Sequence, residues 1–349
     1  MPLIVAHKSI PFNDLAQIKE LTLSMPELSE VYHFLCDWFN DKQSYTTALT
    51  SGSTGPPKQI QIFKSSMIKS AKKTANYFQF KSGNYALNSL PVQFIAGKMM
   101  LVRAMVSNLN LIFVKPNSTP LLGYEKYTFD FLPLTPFQLT QSLSKEPDSL
   151  SNVKTILLGG GPVTQELKES ILKLSATVYH GYGMTETLTH IAIRNLTKQE
   201  TNFRPLPGVN LDIGKEGQLI INADHIEETI VTSDLVSLDK SGIFSWIGRL
   251  DNVINTGGVK VCPEAIEQLL VPYIKCECII AGQKDERLGE RVILILETET
   301  RPPNLDRILE KTLEKYQTPK AIYLLPQFIR TETLKVKRQA TISSALRNI

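Results

Sequence analysis

The spacing of apolar residues along the first 80 positions predicts helices with one strand between them. Apolar side chains recur at helical intervals over residues 15–23 and 28–39, so residues 1–45 are predicted to form a helical prelude. Gln59–Phe63 alternates polar and apolar residues, which predicts a strand. Residues 64–77 return to helical spacing, so a further helix should follow that strand directly.

Strands and helices alternate from about residue 86 to residue 180. Short apolar runs predict strands at residues 85–90, 110–114, 153–158 and 176–180. Helical spacing falls between these strands, at residues 96–107, 135–144 and 163–174. This alternation is typical of an α/β fold, in which helices cover a mainly parallel sheet.

The pattern changes twice in the second half of the chain. Short β-like runs separated by turn residues dominate residues 190–249, which predicts a β-rich subdomain. Helices and strands mix again beyond residue 249, as in a compact α+β domain. We therefore predict an N-terminal domain of residues 1–249 and a small C-terminal domain of residues 250–349.

The composition is that of an ordinary globular protein, with 349 residues of which 42% are hydrophobic and 21% are charged. A net charge of +4 is compatible with a nucleotide or an anionic thioester as ligand. The sequence contains no stripe of interleaved basic and aromatic residues, so nucleic-acid binding is not predicted. The four cysteines lack the spacing of zinc ligands. No apolar run of about 18 residues predicts membrane insertion and no leader is visible, so the cytoplasm is the expected location.

The densest candidate chemistry lies in T-S-G-S-T-G-P-P-K, residues 50–58. Hydroxyls and amides can donate to phosphate oxygens, glycine allows close backbone approach, and lysine adds a positive charge. The residues that predict a phosphate-binding loop are Thr50, Ser51, Gly52, Ser53, Thr54, Gly55 and Lys58. A strand rather than a helix is predicted after Lys58, so this is not a P-loop. A solvated linker is the alternative interpretation.

Two glycine-rich motifs follow predicted strands, where ligands of open α/β sheets bind. Gly159, Gly160 and Gly161 would let the backbone pass flat against a ligand. The second motif is Gly181, Tyr182, Gly183, Met184, Thr185 and Glu186. Its tyrosine could stack on a purine, and its carboxylate could bind Mg²⁺. The alternatives are a plain strand-to-helix turn for the first motif and a tight turn with a core tyrosine for the second.

Further candidates lie at the predicted domain boundary and beyond it. Asp234 could accept hydrogen bonds from paired ribose hydroxyls, and Arg249 could reach a ribose or a phosphate. Asp251 is a hinge candidate, while Gly257 and Gly258 form a turn narrow enough to line a ligand channel. A surface ion pair and a plain linker are the respective alternatives.

The order of these motifs, ending in the basic segment that contains Lys335, resembles the adenylate-forming superfamily of acyl-CoA synthetases, luciferases and peptide-synthetase adenylation domains. The resemblance runs from about residue 50 to residue 338. It implies an α/β N-terminal domain with a truncated first subdomain, and a mobile α+β C-terminal domain. Within the superfamily, the short stretch before the phosphate loop and the segments 90–100 and 255–267 are most similar to short o-succinylbenzoate–CoA ligases of menaquinone biosynthesis.

The resemblance implies a reaction of ATP, Mg²⁺ and coenzyme A with a small-molecule carboxylate, through an acyl-adenylate. The residue 50–58 loop would hold the β- and γ-phosphates, Thr185 the α-phosphate and Glu186 the Mg²⁺. Asp234 and Arg249 would bind the ribose, and Lys335 would act as the catalytic cation of the adenylation step. Gly257 and Gly258 would face coenzyme A after a domain rotation about Asp251.

The second carboxylate of o-succinylbenzoate would require a cation, for which Lys98 and Arg103 are the nearest candidates. A solvated helix face is the alternative, and we favour it for Arg103. Three departures from the family pattern stand out: Phe94 replaces a frequent histidine, Leu334 replaces the glycine before the lysine, and Val259-Lys260 replaces Glu-Asn.

Other functions remain open. A ligase for another acyl or aryl carboxylate, or an enzyme that loads a carrier protein, would share these motifs. A non-catalytic nucleotide-binding homologue is the alternative from another class.

Overall fold

The structure, a computed structural model, describes residues 2–49, 58–330 and 336–347. The chain divides into two compact units, of which unit 1 comprises Met1–Leu211 and Ile221–Ile230, and unit 2 comprises Asp212–Ile220 and Val231–Ile349. The predicted boundary between residues 249 and 250 lies within unit 2 and stays a prediction. None of the described helices is both long enough and apolar enough to span a membrane.

The strands and helices up to residue 183 follow each other in a mainly alternating order. They are β1 (Pro2–Val5), β2 (Lys8–Pro11), α1 (Leu15–Thr22), α2 (Ser29–Trp38), β3 (Tyr45–Leu49), β4 (Gln59–Phe63), α3 (Lys64–Phe78), β5 (Tyr85–Asn88), α4 (Ile95–Ser107), β6 (Asn110–Phe113), β7 (Leu132–Leu134), α5 (Pro136–Lys145), β8 (Thr155–Leu158), α6 (Gln165–Ile171) and β9 (Thr177–Gly183).

Strands dominate the next part of the chain, and helices return after residue 262. The elements are β10 (His190–Asn195), β11 (Arg204–Pro205), β12 (Val209–Ile213), β13 (Gln218–Ala223), β14 (Ile230–Leu238), β15 (Phe244–Arg249), β16 (Ile254–Thr256), β17 (Val259–Val261), α7 (Pro263–Leu270), β18 (Cys278–Asp285), β19 (Gly289–Glu297), α8 (Leu305–Thr312), β20 (Ala321–Leu325) and α9 (Arg338–Arg347).

Two mixed sheets, each with three parallel strands, form the centre of unit 1. Their strand orders are β2-β1-β6-β5 and β11-β10-β9-β8-β7, with β1, β6 and β5 parallel in the first sheet and β7, β8 and β9 parallel in the second. Ile112 of the first sheet and Ile156 and Val178 of the second belong to one buried cluster. The predicted helix-covered arrangement of parallel strands is therefore present.

Local capping explains where several helices begin. Asp14 accepts the N–H of Gln17 at the start of α1, and Thr164 accepts the N–H of Leu167 at the start of α6. Thr135 and Gln138 form a capping box around the first turn of α5, whose first residue is Pro136. These side chains satisfy amide groups that would otherwise lack partners within the helix.

The helical prelude predicted for residues 1–45 is wrong for residues 2–11. Strands β1 and β2 form a hairpin there, and β1 also pairs in parallel with β6, with Leu3 opposite Leu111. Ala6 and His7 make the turn at positive φ without a glycine, so the usual turn signal is missing. The helices predicted at residues 15–23 and 28–39 are present as α1 and α2.

The range 190–249, which the structure describes in full, contains strands and no helix. Strands β12-β13-β14-β15 form one sheet, with β14 and β15 antiparallel. In unit 2 a second sheet has the order β17-β16-β19-β18, and β20 pairs in parallel with β19.

Alternate residues of strand β19 belong to two different apolar clusters of unit 2. Leu294 packs in the cluster that contains Ile266 of α7 and Leu309 of α8, whereas Ile293 packs in the cluster that contains Ala345 of α9. Since successive side chains of a strand point to opposite faces, helices cover both sides of this sheet.

Candidate functional site

The turn after β9 presents Thr185 and Glu186 at the surface of unit 1. The Thr187 hydroxyl accepts the N–H of Met184 over 2.9 Å, and its oxygen lies 3.0 Å and 2.8 Å from the carbonyl oxygens of Met184 and Thr189. Thr187 is fully buried, whereas Thr185 is half-buried and Glu186 is exposed. A buried hydroxyl therefore shapes the loop on which the two predicted catalytic side chains sit.

The glycines of this motif lie in the strand and not in the turn. We expected the strand to end before Gly181, but β9 continues through Gly183. A Cβ on Gly183 would clash with the Thr189 carbonyl oxygen, and one on Gly181 would come within 3.0 Å of the Cβ of His190. The close approach of Thr189 and His190 to β9 requires these two glycines.

The Gly159–161 segment follows β8, the parallel neighbour of β9. Gly160 adopts a φ of +82°, a conformation that favours glycine. A Cβ on Gly159 would meet nothing within 4 Å, so the backbone there faces open space. The structure thus brings this motif and the Gly181–Glu186 motif to the same ends of adjacent strands.

His180 and Arg194 connect these two motifs, and neither residue was predicted from the sequence. The ring Nε2 of His180 lies 3.2 Å from the carbonyl oxygen of Gly161, and Nη2 of Arg194 lies 3.0 Å from the ring Nδ1. Burial, followed by the charge of Arg194, lowers the pKa of His180 to about 3. A histidine next to a glycine motif at a strand end was the available signal.

A buried polar chain runs beneath the same turn. Arg103 donates to the Thr189 hydroxyl over 2.5 Å, and that hydroxyl lies 3.0 Å from Nδ1 of His190. Nε2 of His190 is 3.5 Å from the hydroxyl of Thr74. Burial, and then the charges of Arg103 and His225, lower the pKa of His190 well below its usual value. The proposed solvated position of Arg103 is wrong, because only 3% of it is exposed.

Lys98 lies elsewhere in unit 1. It is also buried, with 7% exposed, and its Nζ lies 5.2 Å from the ring centroid of Phe34 in α2. Burial lowers its pKa, while Glu30 and Asp37 act in the opposite direction. Arg103, and not Lys98, is therefore the residue of α4 that contacts the segment after Glu186.

Most of the predicted phosphate loop lies outside the described residues, from Thr50 to Gly55. Lys58 is described and exposed, directly before β4, which pairs with β3 in an antiparallel hairpin. The strand predicted after Lys58 is present, in agreement with the exclusion of a P-loop.

Asp234, Arg249 and Asp251 come together in unit 2. Asp234 is 8% exposed, and its Oδ1 accepts the indole N–H of Trp246 over 3.2 Å. The same oxygen lies 3.7 Å from Nη1 of Arg249, whose Nη2 lies 2.6 Å from Oδ2 of Asp251. The hydrogen bond from Arg249 lowers the pKa of Asp251. Register pairing of Asp234 with Arg249 explains the proximity of the first two residues.

Gly257 and Gly258 form the turn between β16 and β17, with φ values of +60° and +84°. Both are exposed, and the N–H of Gly257 donates to the carbonyl of Leu288 over 2.8 Å. The predicted tight turn is present, and its narrow backbone requires glycine.

Lys335 lies outside the described residues. The nearest described residues, Arg330 and Val336, form an antiparallel bridge. Arg330 donates to the carboxylate of Glu297 over 2.5 and 2.6 Å and to Glu277 over 3.0 Å. An ion-paired arginine thus anchors the chain just before the segment that contains Lys335.

Residues 16–223 match the family model of the AMP-binding enzyme, over more than half of the chain. The chain belongs to the AMP-binding enzyme family. Its predicted fold class, the α/β fold of adenylate-forming enzymes, is thereby confirmed.

Relatives of this AMP-binding enzyme include 2-succinylbenzoate–CoA ligases of other bacteria. A 2-succinylbenzoate–CoA ligase of Haemophilus influenzae is 27% identical, over 87% of this chain and 72% of the relative. A probable 2-succinylbenzoate–CoA ligase of Mycobacterium tuberculosis is 28% identical, over 84% of this chain and 82% of the relative.

Solved structures agree with the family assignment. An AMP-forming acyl-CoA synthetase/AMP-acid ligase II-like protein of Dyadobacter fermentans is 32% identical with a TM-score of 0.62, covering 92% of this chain and 95% of that one. The o-succinylbenzoate coenzyme A synthetase of Bacillus subtilis, in complex with ATP and magnesium ion, gives a TM-score of 0.75. It is 21% identical over 85% of this chain and 69% of its own, so the likeness is one of fold.

The donor set of this AMP-binding enzyme fits a nucleotide-bound Mg²⁺. Mg²⁺ commonly takes one or two carboxylates together with substrate phosphates and water, and Glu186 offers an exposed carboxylate beside the Thr185 hydroxyl. Within the described ranges, no group of three or more His, Cys, Asp or Glu side chains could hold a metal ion. Phosphate oxygens and water would therefore supply the other ligands at Glu186.

Proposed function

We propose that this AMP-binding enzyme is an ATP-dependent carboxylate–CoA ligase that works through an acyl-adenylate, with o-succinylbenzoate as its carboxylate. The observation that carries the proposal is the pairing of β8 with β9, which sets the open backbone of Gly159 beside the strand that leads to Thr185 and Glu186. Ligands of open α/β sheets bind beyond such strand ends. The similarity to 2-succinylbenzoate–CoA ligases supports the choice of o-succinylbenzoate and coenzyme A.

The reaction has two half-reactions. A carboxylate oxygen first attacks the α-phosphorus of ATP, and the bond to pyrophosphate breaks. The thiol sulfur of coenzyme A then attacks the acyl carbon, its proton is lost, and AMP leaves. Transfers of this kind depend mainly on positioning and on stabilisation of developing charge.

The residues of unit 1 would bind and orient the nucleotide. The base would lie against the backbone of Gly159–161 and against Tyr182. Thr185 would donate to an α-phosphate oxygen, and Glu186 would hold Mg²⁺, which neutralises phosphate charge when bound. Thr50, Ser51, Ser53, Thr54 and Lys58 would donate to the outer phosphates.

Residues of unit 2 have further proposed roles in the two half-reactions. Asp234 and Arg249 would bind the ribose, and Lys335 would stabilise the charge that develops during adenylation. Gly257 and Gly258 would face the pantetheine chain of coenzyme A in the second half-reaction, after a rotation about Asp251.

Arg103 is the better candidate for the second carboxylate of the substrate. Among the described residues no carboxylate forms an ion pair with it, and burial lowers its pKa only to about 9, so it is charged at pH 7. A buried cation is costly unless an anion approaches it. Its contact with Thr189 places it beneath the turn that carries Thr185, whereas Lys98 packs on Phe34.

Pyrophosphate release and thioester formation test the proposal together. The assay supplies ATP, Mg²⁺ and coenzyme A with o-succinylbenzoate, benzoate or a fatty acid. We expect both products with o-succinylbenzoate and weak activity with the others. Preference for another acid would identify a different acyl or aryl ligase, and pyrophosphate release without thioester formation would favour a carrier-protein acceptor. Binding of ATP without any carboxylate-dependent pyrophosphate would indicate a non-catalytic homologue.

A further inference from the structure

His180 of β9 and Arg194 of β10 lie opposite each other in the antiparallel register. Nη2 of Arg194 is 3.0 Å from Nδ1 of the imidazole, and Nε2 on the other side of the ring is 3.2 Å from the carbonyl oxygen of Gly161. Nη1 of Arg194 donates to the carbonyl of Thr201 over 2.7 Å. Both ring nitrogens of His180 therefore have a partner.

The chemistry of these partners fixes the protonation state of the ring. A guanidinium only donates hydrogen bonds, so Nδ1 of His180 must be the acceptor. A carbonyl oxygen only accepts, so Nε2 must carry the hydrogen. His180 is thus a neutral imidazole in the Nε2–H tautomer, and it holds the Gly161 carbonyl against the end of β9.

The surroundings of the ring favour the same state. The guanidinium of Arg194 lies 4.6 Å from the ring centroid of Phe203, and the centroids of Phe203 and His180 are 5.4 Å apart. The charged groups that face His180 are Arg194 from β10 and Lys168 from α6, and both disfavour a protonated ring. The centroid of Tyr182 is 5.8 Å from that of Phe203, so one aromatic ring supports both the cation and the predicted purine platform.

We propose that Arg194 is a positioning residue that holds His180 in one tautomer and thereby fixes the Gly159–161 backbone for nucleotide binding. This inference rests on the proposed function only in its last step, the binding of ATP at these glycines. Arg194 itself contacts His180, Thr201 and Phe203, so its effect on a nucleotide passes through the backbone of Gly161.

The test compares Arg194→Met with Lys168→Met. Both variants remove a positive charge near His180, but only the first removes the hydrogen bond to Nδ1. Long-range ¹H–¹⁵N NMR of the imidazoles reports the tautomer directly, and with five histidines in the chain a His180→Gln spectrum assigns the signal. We expect the Nε2–H pattern, without titration between pH 5 and 8, in the wild type and in Lys168→Met. In Arg194→Met, Nδ1 loses its hydrogen-bond donor, so its ¹⁵N signal should shift and part of the rings should adopt the Nδ1–H tautomer.

Kinetics provide a second readout. Arg194→Met should raise the KM for ATP about threefold to tenfold, which corresponds to the net free energy of one hydrogen bond. The kcat should change less than about twofold. Unchanged His180 signals in Arg194→Met would overturn the inference, and so would a shifted tautomer with an unchanged KM for ATP. If the wild type neither binds nor uses ATP, the proposed function fails, while the NMR result still decides whether the hydrogen bond fixes the tautomer.

A second pair of variants covers the case in which Arg194→Met does not fold. A glutamine at position 180 can accept from Arg194 and donate to Gly161, whereas a leucine can do neither. We expect His180→Gln to keep the KM for ATP within about twofold and His180→Leu to raise it about threefold to tenfold. Equal values for the two variants would contradict the inference.

Discussion

Nη2 of Arg249 donates to Oδ2 of Asp251 over 2.6 Å, so the predicted ribose ligand is ion-paired with the predicted hinge residue. Asp251 lies in the short 3₁₀ turn Leu250–Asn252 that follows β15. Its side chain is 52% exposed and that of Arg249 is 36% exposed, so the pair contributes little to stability. The more consequential property of Asp251 is therefore its backbone.

Asp251→Pro should impair thioester formation more than adenylation. Proline fixes φ at position 251 and disfavours the helical conformation of Leu250, so a change of backbone angles at the hinge becomes harder. We expect a loss of about tenfold, or 1.4 kcal/mol, in thioester formation from supplied acyl-adenylate, with pyrophosphate release within about threefold of wild type. Asp251→Asn is the control, because it weakens the ion pair and keeps the backbone free. Equal losses in both steps for the proline variant would exclude the hinge.

Lys335→Ala should slow adenylation by about 10²–10³-fold, the effect typical of one lost charge-stabilising donor. Thioester formation from acyl-adenylate should be nearly unchanged. Lys337→Ala is the matched control, since this neighbouring lysine is exposed and should be replaceable with less than about twofold loss. The two half-reactions are measured separately by pyrophosphate release and by consumption of acyl-adenylate. A larger defect in Lys337→Ala than in Lys335→Ala would show that Lys337, and not Lys335, is the catalytic cation.

Gly183→Ala should lower the stability of the protein, whereas Gly159→Ala should raise the KM for ATP. A methyl group at Gly183 meets the Thr189 backbone and should cost about 1–3 kcal/mol of unfolding free energy, whereas at Gly159 it enters open space and should change stability by less than about 0.5 kcal/mol. Gly159→Ala should instead raise the KM for ATP, because the methyl group occupies space proposed for the base. Urea unfolding and steady-state kinetics check the pair, and a normal KM for ATP in Gly159→Ala would remove this backbone from the site.

Arg103→Met should discriminate between substrates with one and two carboxylates. Loss of a charge-assisted hydrogen bond predicts a decrease of about tenfold to a hundredfold in kcat/KM for o-succinylbenzoate, and little change for benzoate. Lys98→Met is the comparison variant on the same helix and should show no such selectivity. If Lys98→Met shows the selective loss and Arg103→Met does not, the roles of the two residues are reversed.

Stability should decrease as the pH falls below about 6.5. Burial is the largest cause of the lowered pKa values of His180, His190 and His225, with that of His180 at about 3. The folded protein keeps these rings neutral while the unfolded chain binds protons near pH 6.5, so the unfolded state binds more protons below that pH. Each neutral ring contributes a loss of up to about 1.4 kcal/mol per pH unit between its unfolded and folded pKa values.

Urea unfolding at pH 7.5, 6.5 and 5.5 measures this dependence. His190→Gln should flatten the slope, because it removes one of the buried rings whose pKa is lowered. A wild-type slope of zero between pH 6.5 and 5.5 would show that these rings are protonated in the folded protein.

Elements with local signals were predictable from the sequence, and those that depend on distant pairing were not. Helix α3 and strand β4 follow directly from their spacing of apolar residues. Strand β1 was missed because its partner β6 lies more than a hundred positions away, and a four-residue run carries no usable period.

The candidate site shows the same division. Glu186 and Asp234 were found through their sequence motifs. The hydrogen bond from the indole of Trp246 to Asp234, however, depends on the β14–β15 register, which includes an irregularity. The burial of Arg103 could have been predicted, because residues 99–102 are all apolar and a helix that is apolar on every side is buried. The contact between His180 and Arg194 depends on the β9–β10 register, which no local pattern specifies.

Strand β19 is apolar on both faces. A shift of its pairing register by one residue would therefore exchange two sets of apolar side chains and would expose neither set to water. Hydrophobicity alone therefore cannot choose the alignment of β18 with β19. The tight turn between the two strands favours one alignment. Oδ1 of Asp285 accepts the N–H groups of Arg287 and Leu288 and so fixes where β19 begins. The carboxylate at the end of β18 thus contributes to selecting which amino acids fill the two interior layers of unit 2.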